Sequence, residues 1–318
     1  MKSISIVVPV YFNSATLPTL VSRVEAALKG RFKPDEIDIV LVDDGSGDDS
    51  FKVIRELTAK HPSVVGVRLS RNFGSNCAIL AGLTYATGRA ACVLSADLQD
   101  PPEFIPELIS AWEAGSQVVV AARKSRKDPF LSKLVANFTN RLFRRFVFKD
   151  YPPQGFDFML IDRAVIDILT KLMEKNSYIF GQALWVGFRR SVIYYDREER
   201  EHGRSRWTLA KKCKYFVDIF TAFSYLPLRA SSLLGFLLAA SGFLYAAFIA
   251  VLRWQGGVPV PGWSALTIIV LLASGFQLII LGILGEYVWR TLDEVRRRPP
   301  FIVAENTRST SEDVANRP

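Results

Sequence analysis

The sequence predicts an α/β protein: a mixed, mostly parallel sheet with helices on both faces, then an interfacial amphipathic helix and two transmembrane helices. Three observations carry that expectation. Apolar runs with strand character alternate with helical patterns along the first part of the chain. Four of those runs end in polar loops. Two long uncharged apolar stretches lie near the C-terminal end.

The first strand is Ile4 to Tyr11, which runs into Asn13 and Ser14. A helical pattern follows from Leu17 to Leu28. The β-branched run Ile37 to Val42 is the second strand, and it ends in Asp43-Asp44-Gly45-Ser46-Gly47-Asp48-Asp49. After a helical pattern from Phe51 to Ala59, the strand Val64 to Leu69 leads into Ser70-Arg71-Asn72-Phe73-Gly74. Cys77 to Ala86 is again helical, and Ala90 to Leu94 reads as a buried strand. It opens into Ser95-Ala96-Asp97-Leu98-Gln99-Asp100-Pro101-Pro102-Glu103. Ligands of parallel α/β sheets gather at the carboxyl ends of strands, so one cleft should run along that edge. Closely spaced oxygen ligands there suit a hard divalent cation that also holds phosphates. An ordinary Asp-rich turn stopped by two prolines is the bland reading of the last segment taken alone.

The chain has 318 residues, enough for one large domain and a smaller appendage. Its hydrophobic share of 49% is high for a purely soluble protein, and the excess sits in the C-terminal third. The net charge of +9 has basic residues clustered near the apolar segments. With no nucleic-acid-binding motif or zinc pattern, that placement favours anionic lipid and phosphate partners over nucleic acid. Cys77, Cys92 and Cys213 are far apart, which argues against a disulfide framework. His61 and His202 stand alone, which argues against a histidine metal cluster or a Ser-His-Asp triad. No signal-peptide pattern opens the chain, so the N-terminal domain is expected on the cytoplasmic side.

Leu233 to Leu252 and Ala265 to Gly285 are each long enough to cross a bilayer, which takes about 20 residues. Between them Trp254 and Trp263 flank a Gly/Pro-rich loop, as in an interfacial belt. Lys211, Lys212, Lys214 and Arg229 precede the first span, and Arg290, Arg296, Arg297 and Arg298 follow the second. The loop between them has only Arg253. The positive-inside rule then puts both termini in the cytoplasm of a multi-pass protein of the inner (plasma) membrane. Gly235, Ala239, Gly242, Gly275, Gly282 and Gly285 offer close helix approach within or between protomers of a homo-oligomer, although small residues are common in membrane helices anyway. Apolar and basic residues alternate from Trp207 to Leu226, as in a helix lying on a membrane surface; a helix packed on the soluble domain is the alternative. The tail from Asn306 is polar and expected to be unstructured.

Pro9-Val10-Tyr11, Val42-Asp43-Asp44-Gly45-Ser46, Leu69 to Gly74 and Ala96 to Glu103 stand in the order and spacing of the GT-A family 2 glycosyltransferases. The whole chain resembles the membrane-anchored polyprenyl-phosphate glycosyltransferases related to dolichol-phosphate mannose synthase, and most closely the bacterial enzymes that put glucose on undecaprenyl phosphate. The resemblance implies a Rossmann-like GT-A catalytic domain over 1–206, juxtamembrane helices over 207–229, a membrane hairpin over 230–290 and a cytoplasmic tail over 291–318. It also implies Mg2+ or Mn2+ as cofactor, a UDP-sugar as donor and polyprenyl phosphate as acceptor.

By the same resemblance, Asp97 is the metal ligand, with Gln99 in support. Many relatives begin this turn Asp-Ala-Asp; here Ser95 stands first, which removes one carboxylate. Asp43 and Asp44 match the nucleotide-contacting pair, with Ser46 in their turn and Pro9 and Tyr11 lining the base pocket. Relatives often carry Asn-Glu-Glu after Pro-Val-Tyr, where this chain has Phe12-Asn13-Ser14, and Ser14 or Thr16 also suits a helix cap. Asp157 matches the proposed catalytic aspartate near the acceptor. It stands between two aromatics in an apolar run, which costs solvation unless it has a task or a partner. Arg123 and Arg126, and Arg204, Ser205 and Arg206, resemble phosphate-binding loops for the lipid, where arginine forks suit phosphate oxygens. Lys124 and Lys127 read as a solvated charge run. The sugar stays open among glucose, mannose, N-acetylhexosamine and a modified aminoarabinose. A processive polysaccharide synthase and a non-catalytic membrane scaffold are the competing readings.

Overall fold

The computed structural model describes residues 2–124, 141, 144–145, 151–152, 155–175, 178–197, 221, 224, 226–255 and 262–308. The described elements are β1 (Lys2–Val10), α1 (Leu17–Leu28), β2 (Ile37–Asp43), α2 (Ser50–Lys60), β3 (Val64–Leu69), α3 (Ser75–Tyr85), β4 (Gly88–Val93), α4 (Ile105–Glu113), β5 (Val118–Arg123), β6 (Phe158–Asp162), α5 (Arg163–Leu172), α6 (Ile179–Trp185), β7 (Arg190–Tyr195), α7 (Leu226–Trp254), α8 (Trp263–Val295) and β8 (Val303–Asn306). The strands form one mixed, mostly parallel sheet in the order β7-β5-β6-β4-β1-β2-β3-β8.

β1 is the centre of the sheet because both its faces are apolar. It pairs in parallel with β2 on one side and with β4 on the other. The chain therefore winds outward through β2 and β3 and then crosses back, which makes the β1/β4 junction the point where strand order reverses. At such a point the strand-end loops diverge and leave a crevice. β6 runs antiparallel between β4 and β5, so Asp157 at its start reaches the same sheet edge as the ends of β1, β2, β4 and β5.

Ile4, Ile6, Val8 and Val10 of β1 are buried together with Leu17, Leu20, Val24, Ile105 and Leu108 of α1 and α4. The other face carries α3, whose sequence is apolar nearly all round and whose residues from Cys77 to Leu83 are buried. Gly82 allows that closeness, since a Cβ there would fall 2.3 Å from Val7 Cγ1. Cys77 and Cys92 are free and buried.

At the opposite edge of the sheet, the buried carboxylate of Asp38 accepts from Ser5 Oγ at 3.2 Å and from the amide and hydroxyl of Thr87 at 3.0 Å each. Arg308 completes its shell and also donates to the Tyr85 carbonyl. Asn306 to Arg308, expected to be unstructured, are thus held in place through Arg308. The segment just before it forms β8, antiparallel to β3. Residues 299–318 group with 1–222 in one compact unit, and 223–298 form a second.

In the second unit, α7 and α8 are long and apolar enough to cross a membrane, over Pro227–Ile249 and Leu272–Val295. Their side chains lie open, with Phe243 78% exposed. A Cβ at Gly235 would meet Ile280 Cδ1 at 3.7 Å across the pair, whereas Gly242, Gly275, Gly282 and Gly285 have nothing within 4 Å of a Cβ position. Among these glycines only Gly235 therefore marks a close approach. Most of the expected surface helix from Trp207 to Leu226 lies outside the described residues.

Asp38→Ala should lower the unfolding free energy by roughly 3 kcal/mol, because it strands Arg308 and three inward donors. Chemical denaturation of parent and variant measures this. A change within about 0.5 kcal/mol, as for an ordinary surface substitution, would show that the shell is not structural.

Candidate active site

Three turns at the carboxyl edge of the sheet hold the candidate residues. The first follows β2, whose Asp43 lies level with Val10 of β1. Asp43 is 0% exposed. Its Oδ1 accepts from Ser46 N at 3.1 Å, while its buried Oδ2 has no hydrogen-bond partner and lies 3.5 Å from Arg68 Nε. Burial outweighs those contacts and raises its pKa. Asp44 has a different position. Its two oxygens accept from Phe73 N at 2.7 Å and Gly74 N at 2.9 Å, so it ties this turn to the loop after β3. Burial pushes its pKa up to about 6 despite those two bonds. Gly45, at φ +66°, packs so closely that a Cβ would lie 2.5 Å from the Arg71 carbonyl carbon.

Ser46 accepts from Phe12 N at 3.0 Å and so joins the β1 and β2 turns. Tyr11 and Phe12 meet edge to face at 4.7 Å, with Phe12 in the left-handed region at φ 58°. Pro9 pairs with Val42 in the sheet, and both Pro9 and Tyr11 are half-buried. The expected nucleotide residues are thus neighbours in space with separate duties. Asp44 and Ser46 join loops, and Asp43 keeps a buried acceptor oxygen. Thr16 does not cap α1 with its side chain; its hydroxyl donates to the Ala96 carbonyl at 2.6 Å and anchors the next turn.

That turn is the acidic one after β4. Leu98 is buried at φ 61°, a conformation unusual for a bulky L-residue and one that surrounding packing must impose. With Leu98 turned inward, Asp97 and Gln99 remain half-buried on either side of it. Asp97 Oδ1 lies 2.9 Å from Ser95 Oγ and accepts from Gln99 N at 3.3 Å. Asp100 faces the interior and is 0% exposed. Ser95 Oγ approaches it at 2.6 Å, the Tyr195 hydroxyl donates to it, and Arg197 Nε lies 3.4 Å away.

Among the described residues no three His, Cys, Asp or Glu side chains converge as a metal cage. One carboxylate with neighbouring neutral oxygens nevertheless fits Mg2+, which is held by one or two carboxylates and takes its remaining ligands from substrate phosphates and water. Ser95 gives its hydroxyl to the turn, and Asp97 is the half-buried carboxylate there.

The third cluster lies at the ends of β5 and β7. The Arg123 side chain is 9% exposed and pairs with Asp157, whose side chain is 52% exposed. Phe156 and Phe158 are buried, whereas Asp157 lies in the bend just before β6, at the end of the sheet, where its side chain is half open. The solvation cost anticipated for Asp157 therefore does not arise. Burial opposes the charge on Arg123, but Asp157, Tyr195 and Asp100 around it prevail and hold its pKa above the ordinary value. Arg123 Nε is buried without a hydrogen-bond partner. Lys124 pairs with Asp196 at 3.1 Å on the exposed surface. Arg126, Arg204, Ser205 and Arg206 lie outside the described residues. Tyr195 and Arg197 are not visible in the sequence as site residues. They approach Asp100 only because β7 pairs with β5, a contact without a local signal.

Gly45→Ala should weaken the fold by more than about 1 kcal/mol, because it combines a positive φ with contact against fixed backbone. Thermal melts check it, and an unchanged midpoint would contradict the packing of Gly45 on Arg71. The Asp44 carboxyl should titrate near 6 in a carbon-13 NMR experiment, against an ordinary value of 3.8. Because the folded form holds this proton more tightly, the stability contribution of Asp44 is full below about pH 4 and is lost as pH rises through about 6. A midpoint near 3.8 would mean that Asp44 is solvated.

The family model "Glycosyl transferase family 2" matches residues 5–169, which takes in the turns after β1, β2 and β4, Arg123 and Asp157. The chain is 39% identical to the uncharacterized glycosyltransferase YkcC of Bacillus subtilis, over 95% of this chain and 93% of that protein. It is 35% identical to the bactoprenol glucosyl transferase of Shigella phage SfII, over 96% and 98% respectively. Among solved structures it is similar to glucosyl-3-phosphoglycerate synthase from Mycobacterium tuberculosis in complex with UDP, at 16% identity and a TM-score of 0.47, over 69% of this chain and 79% of that one. The chain belongs to glycosyl transferase family 2 and is a glycosyltransferase.

Proposed function

We propose that this enzyme moves a hexose, glucose by preference, from a UDP-sugar to a polyprenyl phosphate with inversion at the anomeric carbon. The observation that carries the reading is Arg123: a buried guanidinium with an unsatisfied Nε, at the same sheet edge as the turns of Asp43 and Asp97. Its present anion, Asp157, is 52% exposed, and a lipid phosphate reaching that open side would give the guanidinium a second anion. The name of the Shigella phage relative supports both the lipid and the sugar.

Asp43 Oδ2 can accept from the uracil N3 proton or a ribose hydroxyl, with Pro9 and Tyr11 beside the base. Asp44 and Ser46 hold that pocket's loops. Asp97 and Gln99 would hold Mg2+ or Mn2+, whose chemistry is to neutralise the departing diphosphate. Arg123 orients the acceptor phosphate, and Asp157 holds Arg123 in place and takes any proton the phosphate carries. The acceptor is already anionic near neutral pH, so a strong base is unnecessary. Arg126, Arg204, Ser205 and Arg206 are assigned to the same phosphate by charge and resemblance.

In this reading α7 and α8 span the inner membrane, the loop between them faces outward, and the sheet unit and both termini are cytoplasmic. The basic and aromatic residues from Trp207 up to α7 are assigned to the membrane surface by sequence alone, and several copies assemble there.

The test is purified protein with Mg2+ or Mn2+, undecaprenyl phosphate and a panel of labelled UDP-sugars. A lipid-linked monosaccharide made from UDP-glucose is expected. A polymer would indicate a processive synthase, and no product with any donor would indicate a scaffold. Asp97→Asn should cost about 10²–10³ in turnover, as loss of one electrostatic element does in other enzymes. Near-normal turnover with metal dependence intact would remove Asp97 from this role. Asp157→Asn should fold and keep its UDP affinity while transferring poorly. Loss of UDP binding by that variant would move Asp157 to the donor site.

A further inference from the structure

β8 is the least conspicuous strand in the sequence, yet it touches the donor side of the sheet at several places. The Ile302 carbonyl accepts from Ser70 N at 2.9 Å, where β3 opens into the loop whose Phe73 and Gly74 amides are held by Asp44. Farther along, Thr307 N donates to the Gly66 carbonyl at 2.9 Å, and Gly66 N donates to Thr307 Oγ1 at 2.8 Å. Glu305 lies opposite Arg68 in the register and binds Arg55 through both carboxylate oxygens, at 2.9 and 2.6 Å. Arg55 and Arg68 both lie against the Phe51 ring, at 5.1 and 5.2 Å, and Arg68 is the cation beside Asp43 Oδ2. Arg308 closes the series at Asp38.

Residues 302–308 therefore form a strap along the outer edge of β3. It is fixed below by Arg308 and above by Ile302, and it follows α8, which ends at Val295. It reaches Asp43 and Asp44 by two separate routes: the Ser70 loop to Asp44, and Glu305 through Arg55, Phe51 and Arg68 to Asp43. We infer that this strap is a positioning element of the donor site, so that nucleotide affinity depends on the chain segment returning from α8. The inference rests on the reading that the Asp43 turn holds the nucleotide. The strap acts on Asp43 and Asp44 only through these intermediate residues. It fixes β3 and Arg68, and through them the two aspartates. It also covers what would be an open sheet edge, since without it β3 would present unpaired backbone to solvent.

The experiment uses full-length protein in detergent and two readouts. One is calorimetric titration with UDP in the presence of Mn2+; the other is hydrogen exchange at the amides of residues 70–74 compared with the central strand β1. The variants are a chain ending at residue 301, Glu305→Gln, and Asp43→Ala as the control for the donor reading. Loss of several hydrogen bonds should weaken UDP binding about ten-fold or more in the shortened chain. Exchange at Phe73 and Gly74 should rise while β1 stays protected. Glu305→Gln, which keeps the strap and removes one charge, should weaken binding by a smaller factor, about two- to five-fold. If the shortened chain unfolds, the Glu305→Gln titration decides the matter alone. Parent-like UDP affinity in both strap variants, beside a large loss in Asp43→Ala, would overturn the strap inference only. Parent-like affinity in Asp43→Ala would overturn the donor reading beneath it.

Discussion

The Asp44 carboxylate is the contact on which the rest of the site depends. It is buried at the end of β2 and takes the amides of Phe73 and Gly74, which converts two separate strand-end loops into one wall. Gly45 is then pressed onto the Arg71 backbone, and Ser46 is left aimed at Phe12. Burying a carboxylate is costly, and the rise of its pKa to about 6 reflects that cost. The chain accepts it because an unpaired amide in the same place would be costly too, and the wall it builds stands beside a buried Asp43 oxygen that has no hydrogen-bond partner.

The Arg123 side of the site is organised around charge in the same way. Asp157, Arg123, Tyr195 and Asp100 form a continuous series of contacts from the exposed edge of β6 to the fully buried side of the acidic turn. Ser95 continues it to Asp97. Each buried charge has an opposite neighbour, so the series is stable as a whole and sensitive to loss of any single member. A residue proposed to touch the lipid phosphate and one proposed to hold the cation are thereby parts of one network. That arrangement suits a reaction in which an anionic acceptor must approach a diphosphate without unbalanced charge.

Much of the first half of the fold is legible in the sequence because β1 to β4 are continuous apolar runs ending in polar turns, and such runs need no tertiary information. β7 and β8 are not. β7 alternates exposed Arg190, Val192 and Tyr194 with more enclosed residues at a sheet edge, and Val-Ala-Glu-Asn of β8 becomes a strand only through its pairing with β3. For the same reason the ordered strap looks, in sequence, like part of a polar tail. In the site, the residues of the β2 turn are legible, but not their division of labour. Asp43 and Asp44 are adjacent and chemically identical, and only the position of the loop after β3 separates the clamp from the buried, unpartnered acceptor oxygen. Asp157 looks like a solvation problem in sequence because its neighbours are aromatic; its place in the bend before β6, half exposed and paired with Arg123 from another strand, resolves it. Asp100, Tyr195 and Arg197 meet across a long sequence separation and give no local signal.

The central claim is that the two aspartates divide their roles, with Asp43 facing the nucleotide and Asp44 holding the loops. The most direct measurement is calorimetric titration of UDP into Asp43→Asn protein whose melting temperature has first been matched to the parent. The amide carbonyl introduced by that substitution can still accept from Ser46 N, so the fold should survive while one carboxylate oxygen and its charge are lost. The account predicts a parent-like melt with UDP affinity reduced by about ten-fold or more, since hydrogen bonds to charged groups contribute about 1.5–3 kcal/mol. Parent-like UDP affinity in that well-folded variant would contradict it.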